Sequence, residues 1–289
     1  MKAVKQFIFL MFLTLIPITS AYAQQKLIVR NSETGESFEV EIPDGLSITA
    51  DGWTDSVNVY RERARRGEVD AYKKLAWCYE NGIGVEKDFI NMICMFELAG
   101  ERSGKSSMYF LLQSQLGRQI EEMSVKVQNN DSIGAMEIFD SVIREWPSFR
   151  SYIKTYGVTD KNELLQIIES EAGKGDRWAE MVLASLAVDS VCSDANIRNL
   201  EDVAAYAPMM YNKLGRIYMG LPDSTRTDID RAIGYFKKAD EYAMLSWKGS
   251  RALLECYRIK MEKGETPCDE KELSRLKLLS GYSGSAEAE

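Results

Sequence analysis

Apolar residues recur at helical spacing along most of the chain, starting near Asp55. The same three-four rhythm is found at three well-separated places: Leu75, Cys78 and Tyr79; Leu183, Leu186 and Ala187; and Leu253, Cys256 and Tyr257. This spacing puts the apolar side chains on one face of an α-helix. Strand-like alternation does not recur after the N-terminal segment, so residues 51–282 are predicted to form an all-α domain.

Residues 24–50 have a different pattern. Residues 26–29 and 37–42 have strand composition, and turn-like residues lie between them and at Pro43. These features predict a β-hairpin. Because an isolated two-stranded hairpin is marginal in water, we expect it to lie against the first helices. Its free edge would then be open to a strand from a partner or from a second copy.

The first 23 residues have the features of a secretory signal peptide. Lys2 and Lys5 precede an apolar stretch at residues 7–18, and Ala21 and Ala23 fit the small-x-small cleavage pattern. The stretch is shorter than the roughly 20 residues that span a bilayer, which disfavours a membrane anchor. We therefore expect cleavage after Ala23, export to the periplasm or the extracellular space, and no membrane insertion afterwards.

The mature chain is predicted to be acidic. The sequence has 36 basic and 44 acidic side chains, and cleavage would remove two lysines, which leaves 34 against 44 and a formal charge of −10. An acidic chain is a poor partner for nucleic acid or an anionic membrane. The one dense basic run is interpreted as a solvated helix face, offset by Glu62 and Glu68. It consists of Arg61, Arg63, Arg65 and Arg66. At the other end, residues 283–289 are small and acidic and are predicted to be disordered.

The sequence contains no histidine and five cysteines. The lack of histidine excludes Ser-His-Asp and Cys-His catalysis and every histidine metal site. The cysteine count is odd and no CxxC pair occurs, so we predict neither a metal nor another cofactor. Cys78 and Cys94 could meet across one helix pair, but a buried free thiol is an equally good interpretation.

Two segments of the chain, residues 71–79 and 210–218, are similar position by position. The matched pairs are Tyr72 and Tyr211, Lys74 and Lys213, Leu75 and Leu214, Ala76 and Gly215, and Tyr79 and Tyr218. Weaker copies follow Gly175 and Gly249. An aspartate then precedes a second apolar-patterned segment at four places, which suits the start of a helix. These residues are Asp88, Asp131, Asp160 and Asp228.

These residues resemble the Sel1-like repeat, a relative of the tetratricopeptide repeat. The fullest match covers residues 67–104, including the loop with Gly82 and Gly84, where tight geometry favours glycine. The second-best copy covers residues 210–240, although its loop departs from the glycine pattern. The repeat-structural residues are Ala71, Leu75, Tyr79, Gly82, Gly84, Asp88, Leu214, Gly215, Tyr218, Asp228 and Ala232.

The resemblance implies an α/α superhelix in which stacked helix pairs present a concave face lined by their first helices. We predict about six pairs, since repeats of this kind share their core with their neighbours. A lead-in helix is expected at residues 55–66. The first helices are expected to begin near Gly67, Gly104, Trp146, Gly175, Ala207 and Ala243. The unit at residues 147–172 has the weakest pattern, and the array could bend there.

One position differs in type between copies while its neighbours stay constant: it holds Trp77 in the first and Arg216 in the fifth. Such a position looks solvent-facing, and an exposed tryptophan beside Tyr72 would suit a binding hot spot. Packing between repeats is an equal alternative for Trp77 and the better one for Tyr72 and Tyr211. Tyr109 could line an adaptable groove, although core filling is favoured. The tentative partner-binding residues are Tyr72, Trp77, Tyr109, Tyr211 and Arg216.

Three functions are open at this point. The first is a non-catalytic scaffold or adaptor of the bacterial cell envelope, which holds another protein or a peptide on the concave face. The second is an envelope glycan or peptidoglycan binder, in which exposed Trp and Tyr rings stack on sugars. The third is a β-lactamase-like hydrolase, which is considered because some secreted Sel1-like proteins are associated with β-lactams. This function is disfavoured. The regularly spaced cysteine pairs of those proteins are missing here, and residues 103–106 do not form Ser-x-x-Lys.

Overall fold

The structure is a computed structural model that describes residues 25–30, 37–42, 53–156, 158–221 and 224–281, with side-chain environments from Val57 onward. It contains two strands and fourteen α-helices in these residues. The strands are β1 (Gln25–Arg30) and β2 (Ser37–Ile42). The helices are α1 (Trp53–Arg65), α2 (Val69–Asn81), α3 (Phe89–Ser103), α4 (Ser107–Leu111), α5 (Gln115–Gln128), α6 (Ser132–Glu145), α7 (Phe149–Thr155), α8 (Lys161–Ala172), α9 (Arg177–Ser190), α10 (Asp194–Ala204), α11 (Tyr211–Tyr218), α12 (Ile229–Glu241), α13 (Trp247–Glu262) and α14 (Glu270–Gly281).

After the lead-in helix α1, consecutive helices pack as six pairs, which confirms the prediction of an all-α array. The pairs are α2 with α3, α5 with α6, α7 with α8, α9 with α10, α11 with α12, and α13 with α14. None of the helices in the described ranges is long and apolar enough to cross a bilayer.

The predicted aspartates begin second helices by capping them. Asp88, Asp131 and Asp228 each accept a hydrogen bond from the backbone N–H three residues later, and Asp160 accepts two. A carboxylate at this position satisfies N–H groups that have no partner inside the helix. Four of the six second helices therefore start where the sequence pattern places them.

The first helix of the second pair is interrupted. Where one helix from near Gly104 was expected, α4 ends at Leu111 and α5 starts at Gln115. The Glu80 carboxylate on α2 accepts a 2.7 Å hydrogen bond from the Leu116 N–H, so a side chain from another unit caps α5. Gly117 then lies so close to the preceding backbone that a Cβ would come within 2.2 Å of the Leu111 carbonyl oxygen. The break is thus built into the tertiary contacts, which the periodicity does not show.

Helix α3 lies at the centre of the molecule. Twelve of its 15 residues are buried. At its N-terminal end, the Phe89 ring packs 5.7 Å from the ring of Tyr152 and 6.3 Å from that of Trp178, which belong to the third and fourth pairs. At its C-terminal end, Arg102 donates hydrogen bonds to the carbonyl oxygens of Leu245 and Leu279 in the last unit. One helix therefore ties the first pair to three of the other five.

The last unit packs back against the first. Besides the Arg102 contacts, the Trp247 N–H donates to the Glu101 carboxylate at 3.3 Å, and Arg275 donates to the Arg65 carbonyl oxygen at 2.8 Å. In an open repeat array each unit contacts only its neighbours along the chain. Here the last unit also contacts the first, so the array closes on itself.

The strands β1 and β2 pair antiparallel, with Leu27 opposite Val40. The turn between them and their side chains lie outside the described residues. The hairpin as a unit lying against the helices, and its free edge as a docking site, therefore stay predictions. The expected signal peptide at residues 1–23 and the tail at residues 283–289 also lie outside the described residues.

Candidate functional site

Two of the tentative partner-binding residues are in the core. Tyr72 is 1% exposed and Trp77 is 8% exposed. All residues from Lys74 to Glu80 are buried, which means that α2 is covered on every side. The interpretation of Trp77 as solvent-facing is therefore wrong, because a position that varies between repeats can be filled differently by different packing neighbours. Arg216, at the matching place on α11, is exposed.

Most of the residues assigned to repeat structure lie in the packed core or in tight turns. Ala71, Leu75, Leu214 and Ala232 are fully buried, and Tyr79 and Tyr218 are buried. Gly82 and Gly84 have φ values of 67° and 66°, in the left-handed region that favours glycine. Gly215 lets α11 approach α12 closely, since a Cβ there would lie 2.6 Å from the Phe236 ring.

Tyr211 belongs to a row of stacked tyrosines on α11 and α12. Its ring centroid is 6.1 Å from that of Tyr235, which is 5.6 Å from that of Tyr218, and the planes are within about 21° of parallel. The Arg231 guanidinium lies 4.1 Å from the Tyr218 centroid, and the Lys238 ammonium lies 5.4 Å from the Tyr211 centroid. The ring faces are thus taken up by one another and by cations. This row gives no support to sugar stacking.

Tyr109 is half-buried and packs edge-on against Phe110, with ring centroids 5.2 Å apart. The Lys105 ammonium lies 4.1 Å from the Tyr109 centroid and lowers the pKa of this tyrosine. Tyr109 and Tyr211 belong to different units. The role of Tyr109, Tyr211 and Arg216 in partner binding stays a prediction.

The structure contains a cleft of about 320 Å³ at the N-terminal end of α3. We call it the Asn91 cleft. It is lined by Arg61, Tyr79, Val85, Glu86, Asp88, Asn91, Arg177, Ala205, Tyr206, Pro208 and Tyr242. These residues come from α1, the end of α2, the α2–α3 loop, the start of α3, the start of α9, the segment before α11 and the residue after α12. The cleft therefore exists only because distant units meet around α3.

Arg177 and Tyr206 form one wall of the Asn91 cleft. The Arg177 guanidinium lies 4.2 Å from the Tyr206 ring centroid, and the Tyr206 hydroxyl donates to the Arg177 carbonyl oxygen at 3.2 Å. Arg177 Nη2 also lies 3.7 Å from Asp88 Oδ2. A guanidinium held between a ring face and a carboxylate is fixed in direction. This wall is therefore preorganised.

Two buried polar atoms of the cleft residues have no hydrogen-bond partner within the described part of the protein. They are Arg61 Nε, a donor, and Asn91 Oδ1, an acceptor. The orientation of the Asn91 amide is fixed because its Nδ2 donates to the Tyr206 carbonyl oxygen at 3.2 Å. A flipped amide would place two oxygens against each other. Buried polar groups are normally hydrogen-bonded. It is therefore unusual that a donor and an acceptor without partners belong to residues of the same cleft.

The charges around the Asn91 cleft are balanced. Arg61 and Arg177 face the carboxyl groups of Glu86 and Asp88. Burial raises the pKa of Asp88, although the Asn91 N–H and Arg177 oppose this change. Burial also raises the pKa of Tyr206 to about 12, so this hydroxyl is neutral at physiological pH. Net charge therefore does not select the ligand, and hydrogen bonding and shape must do so.

The buried thiols of Cys78, Cys94 and Cys256 are poor nucleophiles. All five cysteines are free, and Cys78 and Cys94 are both buried. Burial raises the pKa of Cys78 and of Cys256 to about 12, and raises that of Cys94 as well. A thiol with a raised pKa stays protonated at neutral pH and is unreactive.

Sequence reasoning missed the cleft. It interpreted the Arg61 run as a solvated face, and the ion pairs of Arg63 and Arg66 with Glu68 agree with that. However, Arg61 lines the cleft and Arg65 reaches Asp240 in the fifth pair, which corrects the interpretation for these two arginines. The one local sequence signal for the cleft is Asp88, which caps the start of α3. That end of α3 lies at the cleft.

Comparisons with known proteins were made on sequence and on structure. No family model matches the chain, and the search of curated proteins finds no match. Among solved structures, the chain is similar to a Sel1 repeat protein from Oxalobacter formigenes, at 16% identity and a TM-score of 0.34, over 79% of each chain. It is also similar to c5321, a protective antigen of uropathogenic Escherichia coli strains with an SLR fold. That match has 16% identity and a TM-score of 0.29, over 79% of this chain and 56% of the other.

The chain resembles Sel1-like repeat proteins in the residue pattern of its helix pairs, and two of the solved structures to which it is similar carry repeats of that kind.

Proposed function

We propose that this protein is a non-catalytic interaction scaffold of the bacterial cell envelope that binds a peptide segment of a partner protein in the Asn91 cleft. The observation that carries the proposal is the pair of buried, unpartnered atoms at the cleft, Arg61 Nε and Asn91 Oδ1. A peptide group offers one C=O and one N–H. It is therefore the simplest ligand that satisfies a donor and an acceptor together.

The cleft suits a backbone ligand in other ways. Arg61 is half-buried and lines the cleft, so its side chain is within reach of a ligand there. Tyr79, Tyr206 and Tyr242 provide apolar ring surface with polar ends, which is common at protein interfaces. The balanced charges favour recognition of main chain over recognition of a strongly charged group.

A catalytic role has less support. The chain has no histidine to act as a base at neutral pH. Asp88 is occupied by capping α3, where its Oδ1 accepts from the Asn91 N–H at 2.8 Å. The buried thiols of Cys78 and Cys94 are held protonated. None of these groups is therefore poised to act as a base or a nucleophile.

Export is part of the proposal and rests on the signal-like residues 1–23. The glycan-binding alternative requires exposed aromatic rings. Trp146 and Trp178 are buried, and the Tyr211 row is stacked internally, so these rings give the glycan alternative no support.

The proposal is tested by selecting ligands from a library of random peptides displayed on phage, with the purified protein immobilised. We expect enriched peptides whose affinity falls about tenfold in an Arg61→Gln variant, the cost of leaving one buried hydrogen bond unmade. Arg150→Gln, which alters an exposed arginine on α7 that does not line the cleft, is the matched control and should bind normally. Failure to enrich any peptide, or equal binding by both variants, would show that the cleft is not the site.

A further inference from the structure

The formal charges of the Asn91 cleft are balanced, but its hydrogen-bonding groups are not. Two arginines, Arg61 and Arg177, and two acids, Glu86 and Asp88, line the cleft. A guanidinium carries several N–H donors and no acceptor, and an ionised carboxylate carries acceptors only. The ligand that fits best is therefore decided by which of these donors and acceptors the protein already engages.

Arg177 has donors to spare. No hydrogen bond joins the Arg177 guanidinium to another residue in the part of the chain that the structure describes. Its Nη2 lies 3.7 Å from Asp88 Oδ2, which is longer than a hydrogen bond, and its side chain is 50% exposed. The Tyr206 ring, 4.2 Å away, holds the guanidinium without accepting from it in the way a carboxylate does. This cation is thus both fixed in place and open to a ligand.

Arg61 adds positive charge to the same cleft. Its Nη1 donates a long hydrogen bond of 3.4 Å to the neutral Asn58 Oδ1. Among the described residues, no carboxylate lies within ion-pair distance of Arg61. The Tyr79 side chain lies within electrostatic range of both Arg61 and Asp88, and Asp88 is next to Arg177. The two arginines therefore belong to one continuous group of polar side chains.

The acids near the cleft offer little compensation. Asp88 Oδ1 accepts from the Asn91 N–H at 2.8 Å, so this carboxylate is engaged in capping α3. Glu86 is exposed and therefore solvated. Glu180 lies within electrostatic range of the Tyr206 hydroxyl but does not line the cleft. The groups left for a ligand are thus mainly the donors of the two arginines.

We propose that the peptide segment bound in the Asn91 cleft carries an Asp or Glu side chain whose carboxylate binds Arg177. This inference rests on the proposed function and names the class of peptide. The main chain of the peptide serves Arg61 and Asn91, and its acidic side chain supplies the acceptor that Arg177 lacks. Arg–carboxylate pairs commonly form two parallel hydrogen bonds. A guanidinium already held on a ring face loses little freedom when they form.

The acidic balance of the whole chain does not oppose this preference. Exposed charges farther apart than about 8 Å are largely screened at physiological salt. The preference is therefore set by the groups that line the cleft.

The test uses an array of random hexapeptides that are acetylated at the N-terminus and amidated at the C-terminus, so that side chains are the only source of carboxylate. The strongest binder is then measured in solution by fluorescence anisotropy with the purified protein. We expect bound peptides to share an Asp or Glu at one position. Replacing it by Asn or Gln should weaken binding about tenfold, as loss of a hydrogen bond to a charged group does. In Arg177→Gln, the acidic peptide and its amide counterpart should bind equally.

Arg150→Gln is the matched control, since Arg150 is an exposed arginine outside the cleft. It should keep the tenfold preference. Arg61→Gln should weaken both peptides by a similar factor and also keep the preference, because Arg61 serves the main chain. A merely structural role of Arg177 would weaken both peptides without removing the preference.

Three results would overturn the inference. Bound peptides that share no acidic residue, or a preference that survives in Arg177→Gln, would overturn it while leaving the proposed function in place. So would a regain of affinity when the amide-substituted peptide is given a free C-terminal carboxylate, because the chain end would then be the source of the carboxylate. An array on which no peptide binds would instead overturn the proposed function, and this inference with it.

Discussion

Arg65 at the end of α1 and Asp240 near the end of α12 form an ion pair between residues 175 positions apart in the sequence. Arg65 donates to Asp240 Oδ2 from Nε at 3.0 Å and from Nη2 at 2.7 Å. Arg275 on α14 donates to the same carboxylate from Nη1 at 2.9 Å and from Nη2 at 2.8 Å. Asp240 is buried. This carboxylate therefore joins the lead-in helix and the last two helix pairs at one point.

We expect Asp240→Ala to lower the free energy of unfolding by about 2–4 kcal/mol, because it leaves two arginines without their shared counter-charge. Urea denaturation followed by circular dichroism measures this change. Asp230→Ala is the matched control on the same helix: Asp230 is exposed and pairs with Lys260 at 2.7 Å. That change should cost less than about 1 kcal/mol. Equal losses in the two variants would contradict the role of Asp240 in closing the array.

The close approach of α11 to α12 depends on Gly215. An added Cβ would come within 2.6 Å of the Phe236 ring, so Gly215→Ala should destabilise the protein by about 1–3 kcal/mol. Gly234→Ala on α12 is the control, since a Cβ there meets nothing within 4 Å. It should stabilise by about 0.5–1 kcal/mol because alanine favours the helix. The melting temperatures should therefore move in opposite directions, and a shift in the same direction would refute the packing argument.

Glu97 on α3 predicts a pH dependence. Burial, with a smaller contribution from Glu101 one turn later, raises the pKa of Glu97 to about 7 from an ordinary value of 4.5. The folded state therefore binds this proton more tightly than the unfolded state. The resulting stabilisation is fully present below the unfolded pKa and is lost as the pH rises through the folded pKa.

We expect Glu97→Gln to remove this dependence. It should raise the free energy of unfolding relative to the unaltered protein by about 1–3 kcal/mol at about pH 8, and by little at about pH 5. Denaturation curves across this range measure the difference. Glu121→Gln, on the exposed surface of α5, should follow the unaltered protein at every pH. A constant difference between Glu97→Gln and the unaltered protein would show that Glu97 does not titrate as described.

Local features of the fold could be predicted from the sequence, and long-range ones could not. The caps at Asp88 and Asp228 and the left-handed Gly82 depend on neighbours within a few residues, which a repeat pattern reveals. The contacts of Asp240 with Arg65 and Arg275 depend on how tightly the pairs wind, and helical periodicity does not encode that.

The difference between local and long-range features also explains why the Asn91 cleft could not be predicted from the sequence. Asn91 appears in the sequence as one polar residue in an apolar helix, and only its hydrogen bond to Tyr206, 115 positions later, shows that its amide is oriented at a cleft. Of the two interpretations of Trp77, packing is the one that the structure bears out, because variation between copies reports on the local packing neighbour and not on exposure to solvent. The interrupted helix at α4 and α5 depends on Glu80, whose capping role is also tertiary.

The most direct test of the account is hydrogen–deuterium exchange of the backbone amides, with and without a peptide selected on the immobilised protein. If the peptide binds in the Asn91 cleft, protection should increase at the amides of residues 85–91 and 205–207, two segments that contribute lining residues. The same peptide should leave α5 and α6 unchanged. Protection confined to other helices, or no change at these two segments, would contradict the claim that the closed array binds its partner there.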